Sequence, residues 1–184
     1  MKLNKSLALL SLGFICVSSI VGCTRLKVRR FNPPPPSLSN TRASTILSGM
    51  TTVLRTNDGP GDVACNVKFR RKGGVEPFTT GDGSIDSQAE FDAVLALPGH
   101  VKVIRRFNWC GALMPNIISC ERPSLKSFLV IRHPPNLEGI FWAHLYGHTK
   151  GLPHRNDPNA VMNPVIGPNS RRVNSSECAA FRQP

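Results

Sequence analysis

An α+β domain is the fold class predicted for this chain, on three observations. Period-two apolar segments alternate with helix signatures along the chain, about 140 residues remain once the N-terminal segments are set aside, and no internal repeat divides them. The chain has 184 residues with 23 Lys and Arg against 11 Asp and Glu, which suits one domain of ordinary size.

The elements are read in chain order. Lys2 and Lys5 precede a mostly apolar run from Leu7 to Ile20, and "SIVGC" ends at Cys23. A positive start, a short apolar stretch and small residues before a cysteine mark an export signal over residues 1–22, with Cys23 the expected site of lipid attachment, as at bacterial lipoprotein processing sites. The run is shorter than the roughly 20 residues a membrane-spanning helix needs. "TRLKVRRFNPPPPSLSNTRAS" follows, basic and proline-rich. It is predicted to be an extended tether, so that residues 23–44 hold a domain of residues 45–184 off a membrane surface. After residue 23 there remain 21 basic and 11 acidic residues, a net charge of +10. Arg25, Lys27, Arg29 and Arg30 would sit beside the anchor, where each adds about 1 kcal/mol toward an anionic bilayer. Nucleic acid is not expected as a partner, because the export signal opposes it and the "RR" pairs beginning at 29, 70, 105 and 171 form no binding module.

Within the domain, Val63, Cys65, Val67 and Phe69 alternate with polar residues and predict a half-buried strand over 63–70. "TTGDGSIDS" reads as a turn; its Asp82, Ser84 and Asp86 make only half of a calcium loop. Ser87 and Glu90 form a capping-box pair ahead of a helix over 88–97, which Pro98 and Gly99 end. Strands are predicted over 101–107 and 127–132, a second helix from about Asn136 through His148, and a short one over 176–181 capped by Asn174. With Cys16 in the signal and Cys23 lipidated, Cys65, Cys110, Cys120 and Cys178 form an even set in an exported chain, for which two disulfides are expected. Three pairings are open. Cys110 with Cys120 is favoured because ten residues separate them, leaving Cys65 for Cys178.

The chemistry concentrates in "FWAHLYGHTKGLPHRNDPNAVMNP", Phe141 to Pro164. His144 and His148 are four apart, so a helix presents both imidazoles on one face. Gly147 leaves that face bare, and Gly151 suits the left-handed turn that would bring His154 round as a third nitrogen. Three protein nitrogens leave zinc an open fourth position. His100 and His133 lack such partners and read as surface or loop residues.

The order HxxGHxxGxxH followed by "AVMNP" resembles the metzincin clan of zinc metallopeptidases, its matrixin-like branch above all, whose pattern is HExxHxxGxxH with a later methionine turn. The resemblance implies a small zincin with a twisted mixed sheet over an active-site helix, Zn2+ on His144, His148 and His154, and Met162 as the turn methionine. It also implies peptide-bond hydrolysis by zinc-activated water on a peptide or protein substrate. One position departs: Leu145 stands where the family carries the glutamate base, and leucine moves no proton. Tyr146 faces away from the metal side, and Glu138 lies about 10.5 Å back along the helix axis. Asp157, in the loop after His154, is a more flexible candidate for the base, but orienting the His154 ring as an acceptor is its favoured role. Two readings therefore stand at the sequence level, a weakened surface-anchored peptidase and a zinc-containing peptide- or envelope-binding protein that no longer cleaves. A third is an envelope lipoprotein whose histidines are incidental. A monomer is expected.

Overall fold

The computed structural model describes residues 22–32, 37–114, 117–122 and 126–183. The expected signal over 1–22 lies, but for Gly22, outside them. Thirteen elements follow in order: β1 (Gly22–Leu26), β2 (Val28–Phe31), α1 (Asn40–Leu54), β3 (Val67–Arg71), β4 (Glu76–Phe78), β5 (Ser84–Ile85), α2 (Gln88–Leu95), β6 (Val101–Val103), β7 (Arg106–Phe107), β8 (Ser119–Arg122), β9 (Ser127–Val130), α3 (Pro135–Thr149) and α4 (Ser175–Phe181). The main sheet is mixed, with order β4-β2-β6-β9-β8. Its first four strands run parallel and β8 pairs antiparallel at the edge.

Strand alternation sorts the side chains onto the two faces. Val28, Val101, Val103, Phe128 and Val130 join α1 and α3 in one core, whereas Phe31, Ile104 and Leu129 join Phe91, Val94 and Leu95 of α2 in the other. Near-continuous apolar strands are what a sheet covered on both faces requires. The helices α1 and α3 approach until their backbones touch, and Gly49 and Gly139 make that possible. A Cβ on Gly139 would lie 3.0 Å from the Gly49 carbonyl carbon.

The expected tether is not one. Residues 22–31 form β1, which pairs with β3, and β2, an interior strand of the main sheet. Leu38 is buried, and α1 starts at Asn40 behind Ser39, whose Oγ accepts from Arg42 N. The domain thus begins before residue 45. The physical reason is that Leu26, Val28 and Phe31 are buried while the interleaved basic residues find partners or solvent: Lys27 and Arg29 pair with Glu76 at 2.9 and 3.4 Å. In α1 the buried Ala43, Ile46, Leu47, Met50 and Leu54 keep a helical spacing that serine and threonine on the other positions obscure. The proline run at 33–36 lies outside the described residues.

Lys102 is a charged residue buried in the sheet, and its Nζ donates to Leu95 O at 3.1 Å and Gly99 O at 2.7 Å. Burial first, and then Arg29, lowers its pKa from 10.5 to about 8. Above pH 8 the folded chain therefore releases this proton while the unfolded chain keeps it up to 10.5, so stability rises with pH across that window. The expected gain is up to roughly 3 kcal/mol. Urea unfolding at pH 7.5 and 9.5 checks it, with Lys102→Met flattening the slope.

Two disulfides join Cys65 to Cys178 and Cys110 to Cys120, and Cys23 is free and exposed. The first ties the approach to β3 onto α4; the second closes the loop between β7 and β8. Ser87 caps α2 through Glu90 N as expected, but the Glu90 carboxylate accepts from Asp86 N, one residue before the cap. Among the described residues no helix is long and apolar enough to cross a membrane.

Candidate metal centre

The site is built at the C-terminal end of α3. Lys150 caps the helix, Gly151 follows at φ +78°, and its N–H donates to His148 O while Leu152 N–H donates to Gly147 O at 3.1 Å. That pair of bonds is a Schellman turn, which needs the left-handed residue glycine supplies. The turn reverses the chain so that Leu152 O comes back to His148, 2.9 Å from its Nδ1. His144 Nδ1 lies 2.8 Å from Val161 O. A carbonyl only accepts, so both Nδ1 atoms carry a proton, and in the neutral form of each ring the Nε2 atom carries the lone pair.

Those lone pairs face one another. His148 Nε2 is 3.0 Å from His144 Nε2 and 3.1 Å from His154 Nε2, and one ligand nitrogen from each ring lies within 4.8 Å of the others. With no proton between the first two nitrogens, the approach is repulsive unless a cation sits at the common point. Zn–N bonds of about 2.0–2.1 Å in a tetrahedron put ligand nitrogens roughly 3.3 Å apart, so the spacing fits. Burial, reinforced by the neighbouring His148 and His154, lowers the His144 pKa to about 4, the Val161 bond opposing it. The ring is therefore neutral at pH 7, as a ligand must be. His144 is buried, His148 half-buried and His154 exposed, so the site opens to solvent on the His154 side. Among the described residues no carboxylate joins this group.

The neighbours explain the spacing of the motif. Met162 is fully buried in the turn after His154, and a Cβ on Gly147 would strike its Sδ and come within 3.1 Å of Phe181. Gly147 is thus bare because Met162 lies against α3 there, one residue before His148. Leu145 is 1% exposed and belongs to the large core, so the residue directly after His144 is apolar and buried. Tyr146 is buried on the same core, edge-on to Phe69 at 5.0 Å. Glu138, also 1% exposed, takes hydrogen bonds from Arg42 and Arg132 and serves no metal. His100 Nδ1 accepts from Lys27 N at 3.0 Å and His133 stacks on Phe141 at 4.1 Å; both lie in loop segments, as expected, and are half-buried by these contacts.

Asp157 accepts from Asn159 N at 2.9 Å and lies 3.5 Å from Arg155. The cluster around Arg155 gave no signal in the sequence. Its guanidinium lies 3.4 Å from Asp62 and 3.3 Å from Glu177, and its N–H donates to Met162 O. Arg155 follows His154 directly, so this cluster fixes the third ligand's loop to α4 and to the segment before β3. Its members come from residues 62, 155, 157 and 177, and no local pattern joins them. In the expected turn, Asp82 accepts from Ser84 N at 2.7 Å and Asp86 accepts from the Asn108 side chain.

Neither a protein-family model nor a curated protein matches the chain. Among solved structures it is similar to archaemetzincin from Methanopyrus kandleri, with 14% identity, 88% of this chain and 94% of that one covered, and a TM-score of 0.49. It is also similar to a zinc-dependent peptidase from Methanocorpusculum labreanum, with 12% identity, coverage of 85% and 100%, and a TM-score of 0.46. What the chain itself carries is a three-histidine cluster able to hold a metal ion.

Proposed function

We propose that this protein is an exported zinc protein of the metzincin-like kind, in which His144, His148 and His154 hold one Zn2+ and peptide-bond hydrolysis is weakened or lost. The observation that carries the reading is the convergence of three Nε2 atoms with two Nδ1 atoms tied to backbone carbonyls. Three imidazoles are a zinc donor set with a fourth position left open. When bound there, zinc supplies Lewis acidity and lowers the pKa of a water toward about 7. The protein's own part is to hold the three rings: Val161 O and Leu152 O set the tautomers, and Arg155 anchors the loop of His154.

Among the described residues no carboxylate stands with the three histidines to move a proton. Leu145 neither accepts nor donates a proton, and Glu138 is held by two arginines at the other end of α3. The burial of Leu145 favours the companion reading, a zinc-containing protein that binds a peptide or an envelope component without cutting it. Export and attachment through Cys23 remain part of the proposal. Because β1 starts at Gly22, such an anchor would hold the domain close against the bilayer, with Arg25, Lys68, Lys126 and Lys150 on the neighbouring surface.

Metal analysis tests the reading. The chain carrying Cys23→Ser is expected to hold one zinc per molecule, to lose it in His148→Ala, and to keep it in His133→Ala. Less than a tenth of an equivalent in the chain with all three histidines intact would refute the site.

A further inference from the structure

The parallel strands β2, β6 and β9 end together, and outside their carboxyl ends lies a cavity of about 710 Å3 lined by Ser37, Asp82, Ser84, Ile104, Ile131, Arg105, Arg106 and Arg132. It lies beyond the N-terminus of α3, roughly 20 Å from the histidines at 1.5 Å per helical residue. The chain leaves β2 toward β4 on one side, whereas it leaves β6 toward β9 on the other. A crevice outside the carboxyl ends of strands at such a divergence is the general ligand position of open α/β sheets.

Charge and construction indicate the ligand. Arg42 and Arg132 share the one carboxylate of Glu138, so this trio keeps one positive charge. Arg105 and Arg106 add two more, against the single carboxylate of Asp82 in the lining. Arg106 is exposed and has no ion-pair partner among the described residues. The two arginines are also held in place: Gly83 O accepts from Arg105 N at 2.8 Å and from Arg106 N at 3.4 Å. Gly83 itself, at φ +89°, packs so closely that a Cβ would lie 2.6 Å from both Arg105 Cδ and Phe31. Ile131, partly exposed, gives the cavity an apolar wall beside these cations, with the buried Ile104 packed behind it.

We infer that this cavity is a second binding site, separate from the metal centre, for a small oxyanion ligand, a phosphate or carboxylate group held by Arg105, Arg106 and Arg132. Planar guanidinium groups match both anions in a two-bond geometry. The apolar wall would take whatever carbon skeleton the anion carries.

The experiment titrates the isotope-labelled, zinc-loaded chain with inorganic phosphate and, separately, with benzoate at constant ionic strength, following amide shifts. Residues 82–84, 104–106 and 131–132 are expected to move together on a saturable curve, and resonances of the histidine cluster report any anion at the metal separately. Arg105→Gln with Arg106→Gln is expected to raise Kd at least tenfold. Arg106→Gln alone, at an exposed position that does not endanger folding, is expected to raise it at least threefold. Saturation by phosphate only assigns a phosphate-bearing ligand; saturation by benzoate only assigns a carboxylate on an apolar body. Non-saturating shifts spread over all basic residues, or an unchanged Kd in both variants, would overturn the site.

Discussion

Zinc-loaded Leu145→Glu is expected to hydrolyse an unstructured protein substrate 10²- to 10⁴-fold faster than the natural chain, the span that a positioned acid or base contributes. The position directly follows His144 on α3, so a carboxylate there stands on the turn that carries two of the three ligands. The natural side chain is 1% exposed, so the substitution carries a burial cost, and a lower Tm is expected together with the gain in rate. A zinc ion close by offsets part of that cost by favouring the ionised carboxylate. Leu145→Gln separates size from chemistry. It has nearly the shape of glutamate and no titrating group, and should remain as slow as the natural chain. Equal zinc content across the three proteins is part of the measurement. A natural chain as fast as Leu145→Glu would show that another group already does the proton transfer. A folded, zinc-loaded Leu145→Glu without activity would favour the binding reading over the weakened peptidase.

Loss of the Cys65–Cys178 bridge should be the most damaging change to stability. The two cysteines are 113 residues apart in sequence, and loop closure of that length is worth about 4 to 5 kcal/mol in the chain-entropy account. Cys65→Ala with Cys178→Ala is therefore expected to lower Tm by roughly 10–20 °C. The effect should reach the metal as well. Cys178 follows Glu177, which pairs with Arg155, the residue next to His154. Freeing α4 loosens the loop of the third ligand, and zinc affinity measured by chelator competition should fall about tenfold or more. The comparison is Cys110→Ala with Cys120→Ala, which opens a loop of sequence separation 10. That pair should cost nearer 3 kcal/mol and leave zinc affinity unchanged. Equal zinc affinity in both double variants would disprove the link from α4 to the site.

The metal centre was legible because its parts are local. Four-residue spacing puts His144 and His148 on one face, and Gly151 three residues later permits the turn that returns His154. The terminal helix was legible for the same reason, its capping box being contained in Asn174 to Glu177. The N-terminal strands were not. Alternation in β2 is masked by Arg29 and Arg30, the first of which pairs with Glu76, 47 residues away, and the period of α1 was lost among polar residues that face outward.

By itself, then, the sequence determined the three-histidine cluster, its turn and the leucine beside His144, since each depends on residues within one helical turn or one loop. Only the tertiary structure decided that residues 22–32 and 37–44 belong to the domain, that Arg155 is bound to Asp62 and Glu177, and that three arginines line a crevice at the strand ends. Those arrangements join segments tens of residues apart. Their energies come from burial and charge pairing that exist once the sheet has assembled, and short-range spacing carries no record of them.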